Sequence, residues 1–123
     1  MRAQEFESQT ASGPDILRYV KQQHHDYRND QDVLTYPRWR LEQTPLENLI
    51  IDDPDRDDPL GRVLDIDYDQ VERIRRRGPQ DIQRRPIVAD PAGAIIDGNH
   101  RAVAAREMGM KSIPAWRPLE DTL

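Results

Sequence analysis

Cysteine is absent from the chain, which removes disulfides, thiolate metal sites and thiol catalysis together. Long apolar runs are missing too. No stretch approaches the ~18 residues that span a bilayer, and the opening MRAQEFESQT lacks the basic-then-apolar plan of a signal peptide. The expectation is a soluble, cytoplasmic protein with no membrane partner. Hydrophobic residues make up 36% of the chain against 33% charged, so apolar material must be concentrated in a few elements to form a core. With 123 residues, one domain, or one small domain plus an extension, is the ceiling.

Positive charge is in deficit as well. A formal net charge of −5 argues against a surface that binds nucleic acid everywhere by charge. The distribution is uneven, however: IDDPDRDD (51–58) is an acidic block, and RIRRRGPQDIQRR (73–85) carries six arginines. Arg73, Arg75, Arg76 and Arg77 wind around a helix end, where cations favour the negative dipole, and the whole Arg73–Arg85 patch is a candidate for contact with DNA phosphates. Arg84 and Arg85 precede a strand and can face a ligand.

Residues 1–12 are polar and unpatterned. From Ser12, a cap followed by Pro14 and Asp15 is good helix-start chemistry, and Ile16, Leu17, Val20, His24 and Tyr27 recur at helical spacing. The spacing predicts a helix over 14–28, which packs across a sheet or presents its apolar face to a protein partner or second copy. His24 and His25 point about 100° apart on a helix, so they do not chelate one ion, and His24 reads as helix-face packing. A short strand is expected at 38–43, containing Trp39. A helical turn near Thr44-Pro45-Glu47 and an acidic loop follow. Asp67 caps a helix over 68–77 that stops at Gly78. PIVAD and AIID read as a hairpin, a helix spans 99–108, and SIPAW (112–116) is a last strand beside the hairpin. The order predicts an α+β fold: a small mixed sheet with packed helices. Its predicted parts are an N-terminal tail and helical extension over 1–37 and a domain over 38–123.

The stretch AIIDGNHRAVAAREMG (94–109) gathers Asp97, Gly98, Asn99, His100 and Arg101 at a strand-to-helix junction. A helix start presents unpaired backbone N–H groups and the positive end of the dipole. Gly98 lets that backbone approach a ligand, Arg101 adds a fork suited to phosphate oxygens, and His100 adds a donor that can be charged near neutrality. Asp97 does not fit an anion site alone: it holds a metal, accepts a proton from a substrate hydroxyl, or orients Arg101. The same residues also suit a plain turn and cap.

RPIVADPAGAIIDGNHRAVAAREMGMKSIPAWRP (85–118) resembles the ParB/sulfiredoxin superfamily, with its strand ending in Asp-Gly-x-His-Arg, a helix of small residues, a glycine and an Ile-Pro strand. TPLENLIIDD is similar to the opening segment of that family, and DYDQVERIRRRG to its helix before the Pro-Ile-x-Val strand, so the resemblance covers about residues 40–118. It implies a ParB/sulfiredoxin-like nucleotide-binding fold in which Gly98, Asn99, His100 and Arg101 hold the phosphates of ATP or CTP. Catalytic roles are implied for Asp97 and His100, with Mg2+ held at Asp97. Kinase-like relatives use an acid after the opening segment, for which Asp53, among Asp52, Asp53 and Asp55, is the candidate.

Asn99 occupies the position of the sulfiredoxin catalytic cysteine, so a cysteine-free chain is no sulfinic acid reductase. Partition-type clamps continue into a DNA-reading domain, and the chain's end at Leu123 makes a complete CTP-gated clamp unexpected. The expected function is therefore a nucleotide-binding domain acting as a phosphotransferase or nucleoside triphosphatase. A non-enzymatic DNA- or partner-binding module is the alternative, and a metal-dependent ParB-like nuclease the second.

Overall fold

The structure, a computed structural model, describes residues 9–51 and 66–119. Its five strands form one mixed sheet in the order β1-β2-β5-β3-β4. The α+β class read from the sequence is the one observed. The acidic block from Asp52 to Asp58, and with it Asp53, lies outside the described residues.

Strand β1 (Thr10–Ser12) runs antiparallel to β2 (Arg38–Pro45) and leads directly into α1 (Gly13–Gln23). Ser12 accepts a hydrogen bond from the Asp15 N–H at 3.2 Å, and Pro14 occupies the first turn, where its missing N–H leaves no bond unmade. The helix ends five residues earlier than its periodicity predicts. Without a glycine to close it in a left-handed turn, the chain leaves at His24 in an extended conformation (φ −135°, ψ 100°). The short helix α2 (Asp30–Leu34) then returns it to β2.

Strand β2 exceeds its predicted span because β5 (Ser112–Pro118) pairs with it from Trp39↔Pro118 to Pro45↔Ser112. A 3-10 turn at Leu46–Asn48 follows. Helix α3 (Tyr68–Arg77) has the expected cap, with Asp67 accepting from the Asp69 N–H at 2.9 Å, and the expected stop at Gly78 (φ +88°). The same glycine opens α4 (Pro79–Arg84), which the sequence pattern left unread. Strands β3 (Ile87–Ala89) and β4 (Ile95–Asp97) form the predicted hairpin, and β3 also pairs in parallel with β5. Helix α5 (Asn99–Glu107) joins β4 to β5.

The strand period of two divides the core between the two faces of the sheet. Ile87 and Ala89 of β3, with Ile113 and Ala115 of β5, pack against Val71, Ile74, Ile82 and the alanines of α5. Val88 faces the other way and is buried with Ile16, Val20, Val33 and Trp39, with Trp116 packed against that cluster. Of the two arrangements expected for α1, packing across the sheet is the observed one: Ile16 and Val20 are buried within the chain's own core. Residues on both sides of the predicted boundary at 37/38 thus share one sheet and one cluster. Among the described residues no helix is long and apolar enough to cross a membrane.

If α1 is an integral layer, Ile16→Ala lowers the stability of the whole fold by about 2–5 kcal/mol, the usual range for truncating a buried aliphatic side chain. Urea unfolding should show one transition with a lowered midpoint. A midpoint unchanged at the sheet, with early loss of α1 alone, would contradict this packing.

Candidate functional site

The two helical layers meet at the end of the hairpin where β3 begins and β4 stops, since Val88 pairs with Asp97 in antiparallel register. A cavity of about 320 Å³ opens there. Each neighbouring element contributes to it: Gln23 and His24 end α1, Arg73, Ile74 and Arg77 lie on α3, and Arg85 precedes β3. Gly98, His100 and Arg101 start α5. The junction singled out by the sequence therefore faces a concavity, together with the basic run from α3.

Gly98 sets the close approach. Its φ of +110° disfavours any L side chain, and a Cβ there would run into the Ile87 side chain. Without a side chain it cannot cap α5, and the first turn of the helix carries no acidic residue. The dipole leaves partial positive charge at this helix start, beside the cavity. Ala102, Ala104 and Ala105 keep the rest of α5 narrow enough to be buried against α3 and the sheet.

Asp97 and Arg101, one helical turn apart, are withdrawn from water together, at 1% and 6% exposure. Arg101 Nη2 lies 3.3 Å from Asp97 Oδ2 and 3.3 Å from the Pro86 carbonyl oxygen, so the guanidinium joins the end of β4 to the start of β3. Its Nε is buried without a hydrogen-bond partner, as is that of Arg85. Tyr19 of α1 donates to the same Pro86 oxygen at 2.6 Å. Burial pushes the Tyr19 phenol above its ordinary range; Arg101 opposes that shift and Asp97 reinforces it. Tyr19 therefore remains a neutral donor through neutral pH.

The reading of His24 as helix-face packing is corrected. Its side chain is 51% exposed, and Nε2 stands 2.6 Å from Asp97 Oδ1. The contact is one of charge and proximity and lies off the line of a hydrogen bond, because Oδ1 has no aligned donor. Sequence spacing gave no signal for it, since the two residues meet only through the packing of α1 against the sheet. His100, expected as a donor to an anion, here accepts a hydrogen bond through Nε2 from the Asp67 N–H at 3.0 Å. An accepting nitrogen carries no proton, so in this arrangement the ring is the neutral Nδ1–H tautomer and ties α5 to the cap of α3.

The arginine run divides by helical geometry. Arg73 and Arg77, four residues apart, share the face that lines the cavity, whereas Arg75 and Arg76 turn away and lie 3.5 Å from Glu107 and Glu72 respectively. Asp81 holds Arg85 at 2.6 Å and lies 3.9 Å from Arg77. No acidic side chain is among the described residues that line the cavity.

Magnesium is a separate matter. Among the described residues no three His, Cys, Asp or Glu side chains converge on a point that could hold a metal ion. Asp97 turns one oxygen to a guanidinium and the other to an imidazole. The described donor set does not fit a protein-held Mg2+.

No family model matches the chain, and no curated protein does. Among solved structures, the match described as the C2221 form of a Pnob8-like ParB-N domain has a TM-score of 0.43 and 22% identity. It covers 64% of this chain and 29% of that one, so the likeness spans less than a third of the solved chain. The chain is similar to a ParB-N domain.

Two outcomes follow from the site's construction. Gly98→Ala places a methyl against Ile87 at a positive φ and should cost about 2 kcal/mol or more, read as a lowered thermal midpoint. The raised Tyr19 phenol makes a pH-dependent contribution. Its proton stabilises the fold fully below the unfolded value of about 10 and ceases to do so as pH rises through the higher folded value. Tyr19→Phe should lower stability at neutral pH by about 1 kcal/mol and flatten the alkaline limb of the stability profile. An alkaline limb unchanged by the substitution would rule out this assignment.

Proposed function

We propose that the cavity is a nucleotide site that holds the phosphate chain, and that its chemistry is hydrolysis or transfer of the terminal phosphate. One observation carries the reading: Arg73, Arg77, Arg85 and Arg101 border one cavity at the start of α5, and no acidic side chain is among its described lining residues. Asp97 and Asp81 compensate part of this charge from outside the lining, and the four guanidiniums gathered on one partly enclosed space still favour a polyanion. A polyphosphate offers several negative charges and acceptors to the guanidiniums that border the cavity. Asp97, withdrawn behind Arg101, orients that guanidinium and does not confront the phosphates; of the three roles weighed for it from sequence, this one has most support.

ATP and CTP are the candidates that the family resemblance names. Mg2+ would enter with the phosphates, as it commonly does, and neutralise part of their charge. The acid expected at Asp53 keeps its proposed place in the chemistry without support from the described residues. DNA contact through Arg73–Arg85 would draw on the same arginines, but Arg75 and Arg76 are turned to glutamates, and Arg73, Arg77 and Arg85 to the cavity. A nuclease would need carboxylates at the cavity wall, and among the described lining residues there are none.

Thermal unfolding with ATP, CTP, inorganic triphosphate or duplex DNA, each with and without Mg2+, tests the proposal. A nucleotide at a hundredfold excess over its Kd should stabilise the protein by about 2.7 kcal/mol. Arg73→Gln with Arg77→Gln, both exposed and away from the core, should leave the unliganded midpoint close to wild type and abolish the shift. A response confined to DNA and lost with added salt would favour the alternative. Unresponsiveness to every polyphosphate would refute the site.

A further inference from the structure

His24 has no place in the phosphate grip, yet it stands on the wall of the cavity. Resting on the polyphosphate reading above, we infer that His24 is the proton acceptor for a water molecule attacking the terminal phosphate, and that Asp97 positions it. Among the described lining side chains, His24 and His100 supply the imidazoles, the side-chain type there suited to accept a proton as a general base. His100 commits Nε2 to the backbone of Asp67. His24 is left as the base.

Its surroundings suit that task. Asp97 Oδ1, at 2.6 Å from Nε2, is buried without an aligned donor, and a proton on Nε2 is the tautomer this nearby carboxylate favours. Nδ1 then holds a lone pair. Asp97 cannot swing freely, since Arg101 holds Oδ2 from the other side. The backbone of His24 is fixed as well: its N–H donates to the Val20 carbonyl at 2.8 Å, and its own carbonyl accepts from the Tyr27 N–H at 3.1 Å. The ring is half exposed, so water reaches it and a proton leaves it. A base and its orienting acid are often misaligned before substrate arrives, and imidazolium formation would draw Nε2–H onto the carboxylate.

In the step, the water O–H bond breaks and its proton passes to His24 Nδ1 while the oxygen bonds to the terminal phosphorus. The bond from that phosphorus to the bridging oxygen breaks, and the electron pair departs with the nucleoside diphosphate. Arginines around the leaving group receive its charge. Asp97 stabilises the imidazolium until its proton passes to solvent, and the products are nucleoside diphosphate and inorganic phosphate. The charged and titratable groups around the same cavity are Arg73, Arg77, Arg85, Arg101 and His100, with Asp97 behind the wall. The base limb of the pH profile is therefore assigned to His24.

The test combines phosphate release from ATP and CTP with nucleotide-induced thermal shifts, in wild type, His24→Gln and His100→Gln. His24→Gln is expected to keep the shift, with affinity within about threefold, and to lose 10²–10⁴-fold in release, the usual size of a general-base contribution. Wild-type release should rise with pH and level off, whereas the residual rate of His24→Gln should lack that limb and His100→Gln should retain it. Asp97→Asn, provided it keeps the thermal shift, should move the limb without removing nucleotide binding. Release by His24→Gln within threefold of wild type overturns the inference, as does a wild-type protein that binds nucleotide and releases no phosphate; both leave the binding site standing. A protein that no polyphosphate stabilises loses both.

Discussion

A carboxylate and a guanidinium withdrawn from water together, Asp97 and Arg101, constrain everything around the cavity. Either charge alone at that depth would be severely destabilising, and removing one partner of a buried pair typically costs about 3–5 kcal/mol. Part of the pair's hydrogen bonding is supplied locally, although Asp97 Oδ1 and Arg101 Nε go without an aligned partner. Arg101 reaches the Pro86 carbonyl as well as Asp97, and Tyr19 reaches the same carbonyl from the opposite layer. Helices on both faces of the sheet are thereby referred to one oxygen atom at the start of β3. A displacement of α1 would disturb Tyr19 and His24 together, and with them the environment of Arg101.

Packing makes this electrostatic arrangement possible. For Arg101 to reach back to the end of β4, α5 must begin immediately after the strand and lie close to β3. Gly98 permits the first through its positive φ and the second through the missing Cβ that would strike Ile87. Ala102, Ala104 and Ala105 extend that closeness along the helix, which is why a polar sequence of modest hydrophobic content can still bury α5. The residues that look most like a ligand-binding motif are thus also those the fold needs for its tightest contact. Gly98 could be explained by packing alone; the arginines that gather opposite it could not.

How much of this was legible in the sequence depends on the range of the interactions involved. Ser12, Asp67 and Gly78 act over two to four residues, and the helices they bound were readable from their side chains. The hairpin and α5 were readable for the same reason. Strand β1 is only Thr10–Ser12, polar, and exists because β2 offers it an edge; α4 is a short segment seated on Ile82 and hidden behind a Gly-Pro pair. Neither announces itself by period. The arginine run shows the difference within one helix: its dipole position was legible, but which members turn to the cavity depends on where the glutamates and the α5 start lie in space. His24 was misread because no local spacing connects it to Asp97.

The chain as a whole is acidic, and this sharpens the meaning of its basic cavity. With a net charge of −5, long-range attraction does not draw polyanions to the surface at large. Binding must come from short-range contacts in a place where screening by water and salt is weakest. The cavity has that character: two guanidiniums on exposed positions of α3, the half-buried Arg85 held by Asp81, and the buried Arg101 balanced from behind by Asp97. Balancing from behind differs from neutralising. A carboxylate placed in the cavity would compete with the ligand for the arginine fork, whereas one placed beneath it fixes the fork's direction and leaves its outward donors unspent. The same carboxylate approaches His24 with its second oxygen, so the charge that aims the anion grip also stands beside the proposed base, which among the described lining imidazoles is the one whose Nε2 is not engaged by backbone. Grip and base are therefore coupled through Asp97, and a change at one should be felt at the other without any movement of the backbone.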